Sequence, residues 1–382
     1  MPATLVAADA DPVAEPTSAA AAADSAPAVS AKTGEGAVKS NGAALAEFNQ
    51  QFTAWKQLLA NLRTVQENFQ IADRSKQGPL IQQFNDLLVE GHHMAPKLIA
   101  TAEKAYLENP RDTKLSEFLV LVAIDGLRID DFETSYRVSK SLVTHGFNDP
   151  TIYNVLGISA FAVNEYEDAL TYLDLAAAKK AISDKGKEVA QMAKDYEKVW
   201  PAEAALRAAE AKADDLPRVK LSTTKGDMVI ELFENEAPNT TANFISLVEK
   251  GFYDHTPFHR VLQSFMAQGG DPTGKGNGGP GYTIACECYR PDARLHFRGS
   301  ISMAHAGRDT GGSQFFLNFM PTPHLNGKHT VFGRVIEGTE VLSKLQRVDP
   351  DPEKPSREPD QIIKASVVRK RDHAYVPQKN AG

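Results

Sequence analysis

Cysteine is nearly absent. Cys286 and Cys288 are the only two in 382 residues, too few for a disulfide framework, so packing must hold the chain together. Also missing is any apolar run of the ~18 residues that a membrane-spanning helix needs, so no membrane span is expected. Nor is there an excess of base. Lys and Arg number 42 against 49 Asp and Glu, a net charge of −7. Nucleic acid is therefore not an expected partner, because phosphate binding depends on neutralisation by Lys and Arg. Residues 1–43 are mostly Ala, Pro, Ser, Gly and Asp with scattered Val and Leu, and cannot offset the entropy of ordering. They read as a disordered head. Met1–Ala8 holds no base and only Leu5 and Val6 as large apolar residues, which is not a secretory signal. A cytoplasmic location is the default expectation, replaced by a periplasmic or secreted one if a signal peptide lies upstream of Met1.

The rest of the chain is that of a globular protein, 42% apolar and 24% charged, and long enough for two folded units. Charge divides them. Residues 1–216 carry 21 bases and 31 acids, whereas 217–373 carry 20 and 18. Over 44–213 strand signals are scarce and helical ones abundant. Leu45, Phe48, Phe52, Trp55, Leu58, Leu59 and Leu62 recur at steps of mostly three and four, one apolar stripe of a helix. Gly78-Pro79 and Asn109-Pro110 are expected to be turns. Stripes without sheets mean helix packed on helix.

A repeat lies within this region. Asp131-Phe132-Glu133 and Glu165-Tyr166-Glu167 stand 34 residues apart, the period of tetratricopeptide (TPR) helix hairpins. The second copy reads Tyr153-x2-Leu156-Gly157-x2-Ala160, then Ala169-x3-Leu173 and Ala176; its small residues let two helices approach closely. The first copy is degraded, with Ala123 at the glycine position and Ser139 where a large apolar residue belongs. The segment resembles a TPR-like array, the alternative being a plain helical bundle. It lacks the basic clamp with which TPR domains grip acidic C-terminal tails, so that kind of partner is not expected. A protein partner at the helices is.

The period changes after Asp214-Asp215-Leu216-Pro217. Arg218–Thr223 reads as a strand, 224–227 as a turn and Met228–Phe233 as a second strand, together a hairpin. Pro238 opens a helix with Phe244, Leu247 and Val248 on its apolar face, and Gly251 closes it. Short strands and glycine-rich loops run to about 336, a helix follows near 338–347, and 362–368 forms a late strand. Antiparallel strands with two helices suggest a closed barrel.

Five blocks here carry a family signature: Phe258-His259-Arg260-Val261; Phe265-Met266-Ala267-Gln268-Gly269-Gly270-Asp271; Ser302-Met303-Ala304-His305-Ala306-Gly307; Gly312-Ser313-Gln314-Phe315-Phe316; and Leu325-Asn326-Gly327-Lys328-His329-Thr330-Val331-Phe332-Gly333. Over about 217–372 the chain resembles the cyclophilins. The resemblance implies an eight-stranded antiparallel β-barrel capped by two helices, peptidyl-prolyl cis–trans isomerase activity on proline-containing proteins or peptides, and no cofactor. The expected organisation is a head at 1–43, a helical domain at 44–213, an isomerase domain at 217–372 and a tail at 373–382.

The chemistry fits the residue types. Amide resonance raises a barrier of ~18–20 kcal/mol to rotation about a peptide bond, and X–Pro bonds interconvert slowly. A catalyst needs only to favour the twisted amide, whose nitrogen regains a lone pair, and a permanent cation with directed donors suits that task. Arg260 matches the family's catalytic arginine. By the same resemblance Phe265, Met266, Phe316 and Leu325 form the proline pocket with His329 at its edge. Gln268 and Gln314 hold the substrate backbone, and Ala304 with His305 presents main chain to it. His324 stands where well-known eukaryotic members have tryptophan, which implies retained activity with weakened cyclosporin binding. Asn326 replaces an aspartate and is expected to be neutral.

The other motifs read blandly. Cys286-x-Cys288, with His296 or His305 nearby, is weighed as a metal site and taken as packing cysteines, so no metal is expected. The glycines from 269 to 279 precede no helix bearing Lys-Ser/Thr and so form no phosphate-binding loop. His92-His93 falls on a solvated face. Two functions follow: an active isomerase that assists folding, or a scaffold that binds proline segments with little turnover and acts through its helices.

Overall fold

The computed structural model describes residues 42–350 and 358–380. The expected head lies outside them except for Gly42 and Ala43, as do the last two residues of the expected tail. Seven helices come first: α1 (Ala43–Ile71), α2 (Arg74–Glu108), α3 (Thr113–Arg128), α4 (Phe132–Thr144), α5 (Pro150–Ala162), α6 (Tyr166–Ala178) and α7 (Asp184–Ala213). No helix among the described residues is long and apolar enough to cross a membrane. The chain divides into two compact units. Of the described residues, one unit comprises those up to Gly126 with Thr134–Val155, and the other comprises Leu127–Glu133 with those from Leu156 onward.

In the first unit the apolar stripe of α1 buries Phe48, Trp55, Leu58 and Val65. Phe48, Phe52 and Phe118 stack ring against ring at 5.3–5.5 Å. Gly91 of α2 lets that helix close on α1, since a Cβ there would come 3.2 Å from Leu58 Cδ2. The expected turn at Gly78-Pro79 is not a turn. α1 and α2 break earlier, at Ala72-Asp73, and Pro79 sits in the second turn of α2. α2 carries Pro79 and a further proline, Pro96, each at the cost of one intrahelical bond. The turn at Asn109-Pro110 is present and ends α2.

The second unit is built on nine antiparallel strands: β1 (Arg218–Thr223), β2 (Gly226–Leu232), β3 (Thr256–Pro257), β4 (Arg260–Leu262), β5 (Met266–Gly269), β6 (Ser300–Met303), β7 (Phe315–Asn318), β8 (Val331–Glu337) and β9 (Gln361–Arg369). β1 alternates faces, burying Val219, Leu221 and Thr223, and the hairpin to β2 closes at Thr223 opposite Gly226. α8 (Pro238–Glu249) lays Phe244 against Tyr253, Phe315 and Phe332 at 5.0–5.6 Å, the centre of the core. The sheet order is β3-β9-β1-β2-β8-β6-β7-β5-β4.

This differs from an eight-stranded closed barrel with two helical caps. The sheet is curled but open, with β3 and β4 as its edges. Both edges are very short, and Pro257 offers no N–H, the usual way a sheet edge is kept from pairing. The second cap, α9 (Val341–Lys344), is a single turn.

α6, α7 and the Leu127–Glu133 segment belong to the same compact unit as the sheet. Arg294, 6% exposed, is gripped by Glu203 of α7 at 2.9 Å and by Glu210 of α7, and lies 3.9 Å over the Phe233 ring. Arg334 pairs with Glu210 and Glu231, both at 2.8 Å. Asp130, fully buried, accepts from Ser264 N and Oγ and pairs with Arg347 at 2.7 Å. Tyr196 and Trp200 of α7 pack on Phe297 at 5.2 and 5.5 Å.

Candidate active site

The register of the sheet assembles the site. β4 pairs with β5 so that Arg260 lies opposite Gln268, and β5 pairs with β7 so that Gln268 lies opposite Phe316. Paired residues share a face, so Arg260, Gln268 and Phe316 form one row across three strands. Met266, two residues before Gln268, is on that face too. The turn from β4 to β5 passes through Ser264, which has φ 54, and delivers Phe265, whose ring centre is 5.8 Å from the Arg260 guanidinium carbon. At that distance a cation is drawn to a ring face.

A second wall comes from the glycine-rich loop. Asp271 is buried and accepts from the backbone N–H groups of Thr273, Gly276 and Gly278 at 2.7, 2.7 and 3.0 Å. Burial alone would raise its carboxyl, but the three amides and the Thr273 hydroxyl outweigh it and hold it down to about 2. The carboxylate thus acts as the hub of the loop. No side chain would fit at Gly278, where a Cβ would lie 2.0 Å from Asp271 Oδ1. Gln314 Nε2 donates to the Gly276 and Gly278 carbonyls and Gln314 Oε1 accepts from Gln268, so the loop is tied to the central row.

The third wall joins β6 to β8. Ala304 N–H donates to the Gln314 carbonyl, whereas His305 enters no backbone pair among the described residues. The His305 ring stacks on His329 at 4.2 Å, and His329 meets Phe316 edge-on at 5.4 Å. His329 Nδ1 is 3.0 Å from the Met303 carbonyl, which makes it the donor, and burial holds this imidazole below its ordinary pKa. Leu325 closes the wall from a 3-10 turn, Pro323–Leu325. Behind it, Asn326 Oδ1 accepts from His296 N and faces His296 Nδ1, both at 2.9 Å, and Asn326 Nδ2 donates to Tyr196 Oη. Tyr196 in turn donates to the His296 carbonyl at 2.8 Å. Asn326, expected to be neutral, thus anchors the loop that carries Leu325.

These walls enclose a cavity of about 1230 Å³. Arg260, Phe265, Met266, Gln268, Ala304, His305, Gln314, Phe316, Leu325 and His329 all line it. His324 does not; it stands behind the rim, its ring 5.6 Å from that of Phe265. Among the lining residues not anticipated from the sequence are Tyr282, Lys379 and Asn380. Tyr282 is fixed by its hydroxyl donating to Asn243 at 2.8 Å, and Lys379 and Asn380 come from the segment expected to be a tail.

Around Arg260 the arrangement is a cation, a row of amide donors and an apolar floor, without a nucleophile held by a base. Cys286 and Cys288 are neutral thiols, their pKa values pushed up by burial, and Cys286 Sγ accepts from Asp309 N–H. No group of three or more His, Cys, Asp or Glu placed to hold a metal ion occurs among the described residues.

Comparison with known proteins places the segment in a family. Residues 218–367 match the model of the cyclophilin type peptidyl-prolyl cis-trans isomerase/CLD family. A peptidyl-prolyl cis-trans isomerase of Helicobacter pylori is 49% identical over 150 residues, covering 38% of this chain and 91% of that protein. Peptidyl-prolyl cis-trans isomerase B of Bacillus subtilis is 54% identical over 119 residues, 31% of this chain and 82% of that protein. Among solved structures, a cyclophilin type isomerase of Cryptosporidium parvum shares 34% identity, covering 41% of this chain and 99% of its own, with a TM-score of 0.38. With a relative at 49% identity matched along nine-tenths of its length, and with a helical region preceding the matched segment, the chain belongs to the cyclophilin-type peptidyl-prolyl cis–trans isomerases and its domain of that type acts on X–Pro bonds.

Proposed function

We propose that Arg260 is the catalytic residue and acts without covalent chemistry. The observation that carries this is its isolation. Arg260 is half-buried in the cleft beside the Phe265 ring, and among the described residues no carboxylate pairs with it, whereas Arg294, Arg298, Arg334 and Arg347 of the same unit are all ion-paired. An unpaired guanidinium keeps its donors for the substrate. As the X–Pro amide twists, its nitrogen becomes pyramidal and gains a lone pair, and a donor directed at that nitrogen lowers the barrier. Phe265, Met266, Phe316 and Leu325 seat the ring of proline, with His329 at the edge. Gln268, Gln314, Ala304 and the free main chain of His305 hold the flanking backbone. No atom is transferred, so the site requires no cofactor.

Arg260→Ala should lower kcat/KM on a proline peptide by about 10²–10³, the usual loss when one transition-state donor is removed, while the circular dichroism of the protein stays unchanged. Full activity in a folded variant would refute the role.

For the helices we propose a TPR-like hairpin array that binds a protein segment and so assists folding of proline-limited clients. α4 and α6 are both 13 residues long and begin 34 residues apart, and each is preceded two positions earlier by a left-handed residue, Asp130 at φ 66 and Asn164 at φ 69. Gly157 is required by its neighbour, since a Cβ there would lie 2.5 Å from Leu173 Cγ. The buried Ser139 donates to the Ser135 carbonyl, where a complete repeat would bury an apolar side chain. Stacked hairpins of this kind offer a concave surface for a peptide.

A further inference from the structure

The chain beyond β9 does not trail away from the isomerase unit. It is pinned at three successive points. Tyr375, 6% exposed, donates through its hydroxyl to Glu234 at 2.8 Å. Gln378 exchanges two bonds with the side chain of Asn239, at 2.7 and 3.0 Å. Asn380 N–H donates to the Thr283 carbonyl at 2.9 Å, and Asn380 Nδ2 donates to Thr283 Oγ1 and to the Asp309 carbonyl at 2.9 and 2.7 Å. Lys379 lies between the last two anchors, so its backbone is held while its side chain is exposed at the rim of the cavity. Its Nζ stands 4.1 Å from the centre of the Tyr282 ring.

That rim is otherwise small and uncharged. Gly276, Gly279, Gly281, Ala306 and Thr310 line the same cavity as Lys379 and add neither bulk nor charge to it. The lining of the whole cavity holds two permanent cations, Arg260 and Lys379, and no Asp or Glu. The acids of the neighbouring loops are occupied. Asp309 accepts from Cys286 N–H and pairs with Arg308, and Glu287 accepts from Asn239 and Thr240 at the start of α8. A ring-bound ammonium with no carboxylate facing it attracts anions across a low-dielectric wall.

We propose that Lys379 makes the rim beside Tyr282 a subsite for an acidic side chain, so that the enzyme prefers X–Pro bonds with Asp or Glu close to the proline. This rests on the cleft being the isomerase site and adds substrate choice to it. Lys379 is a specificity-determining residue lying outside the segment that matches the family.

The test is a set of proline peptides carrying Glu or Lys, in turn, at each position within three residues of proline. It is read as the Glu:Lys ratio of kcat/KM for the full chain. At one position at least, the wild-type ratio should exceed one and shrink as salt rises, as a rim charge requires. Lys379→Gln should lower that ratio about threefold and Lys379→Glu about tenfold, the range of a partly screened charge contact. Lys379 is exposed, so both variants should fold. Equal ratios in wild type and Lys379→Glu at every position would overturn the proposal, as would a wild-type preference for Glu that Lys379→Glu leaves unmoved. If the wild type turned over none of the peptides, the isomerase reading would fail instead. The same ratio, read from Kd by fluorescence anisotropy, would then still decide the role of Lys379.

Discussion

Arg260 and Arg294 belong to one compact unit and are used in opposite ways. Around Arg294, the seam against α7 is dense with partners: Glu203, Glu210 and the Phe233 ring surround it, and Arg334 completes the cluster. Around Arg260, the cleft offers a ring, amides and empty volume, and no acid. A buried guanidinium whose donors are all engaged stabilises a fold and is chemically silent. One left without a counter-charge contributes little to stability and is available to a substrate. Arg260 lies in β4 and Arg294 in the loop before β6, but what decides their use is the supply of carboxylates.

Breaking the seam should have the largest effect. Glu203→Gln leaves Arg294 buried with half its partners gone and should destabilise the unit by about 3–5 kcal/mol in urea, with little change in the activity of the protein that remains folded. The contrasting variant is Arg260→Ala, which should spare stability and remove activity. If Glu203→Gln cost no more stability than Arg260→Ala, the two arginines would not differ as described.

Acid should act on the seam next. His296 is fully buried beneath Phe316, and burial pushes its imidazole down to about 4. It is neutral in the fold and takes a proton more readily in the unfolded chain, whose histidine pKa is near 6.5. Its contribution is therefore complete above pH 6.5 and is lost as pH falls toward 4, amounting to about 3 kcal/mol at 1.36 kcal/mol per pH unit. Thermal melts from pH 7.5 to 4 should show this slope in the wild type and a flatter one in His296→Leu. Parallel slopes would remove His296 from the account. Glu203 adds to acid lability lower down. Burial would raise its carboxyl, but Arg294 and Arg207 hold it net below the ordinary range, so its contribution persists to about pH 4 and is lost below that.

Two smaller effects sharpen the boundary between seam and cleft. Asp130→Asn weakens the hold on Ser264, the residue before Phe265, at a cost of about 2 kcal/mol for bonds to a charged group. Because the turn it holds carries Phe265, kcat/KM should fall with stability, which distinguishes it from Glu203→Gln. Tyr196→Phe removes one hydroxyl shared by the His296 carbonyl and Asn326 and should cost about 1 kcal/mol. Both are read from urea midpoints, and Tyr196→Phe should leave peptide turnover within twofold.

Much of the cleft was legible from the sequence because it is written in contiguous blocks. Arg260, Gln268 and Phe316 sit in short motifs, and strand pairing only had to bring those blocks side by side. β1 and α8 were legible for a local reason, clean alternation in one and a proline start in the other. The seam was not. Glu203 and Glu210, seven residues apart on one helix face, look like ordinary solvated charges until Arg294 arrives from 91 residues away. Lys379 and Asn380 fail similarly, since nothing local says that Asn380 will meet Thr283, 97 residues earlier. Pro79 misled in the other direction, because α2 runs on through both Pro79 and Pro96.

The charged character of the α7 seam also bears on synthesis. α7 is made before the sheet it serves. At about 5–20 residues per second, Arg294 follows Glu203 by roughly 5–20 s. Over that interval the face of α7 that will later be buried waits in water. Its apolar part, with Tyr196 and Trp200, must be shielded for all of it, whereas Glu203 and Glu210 are at ease in solvent until their partners emerge. The ionic part of the seam tolerates delay, which suits a helix whose counterpart lies a whole domain downstream.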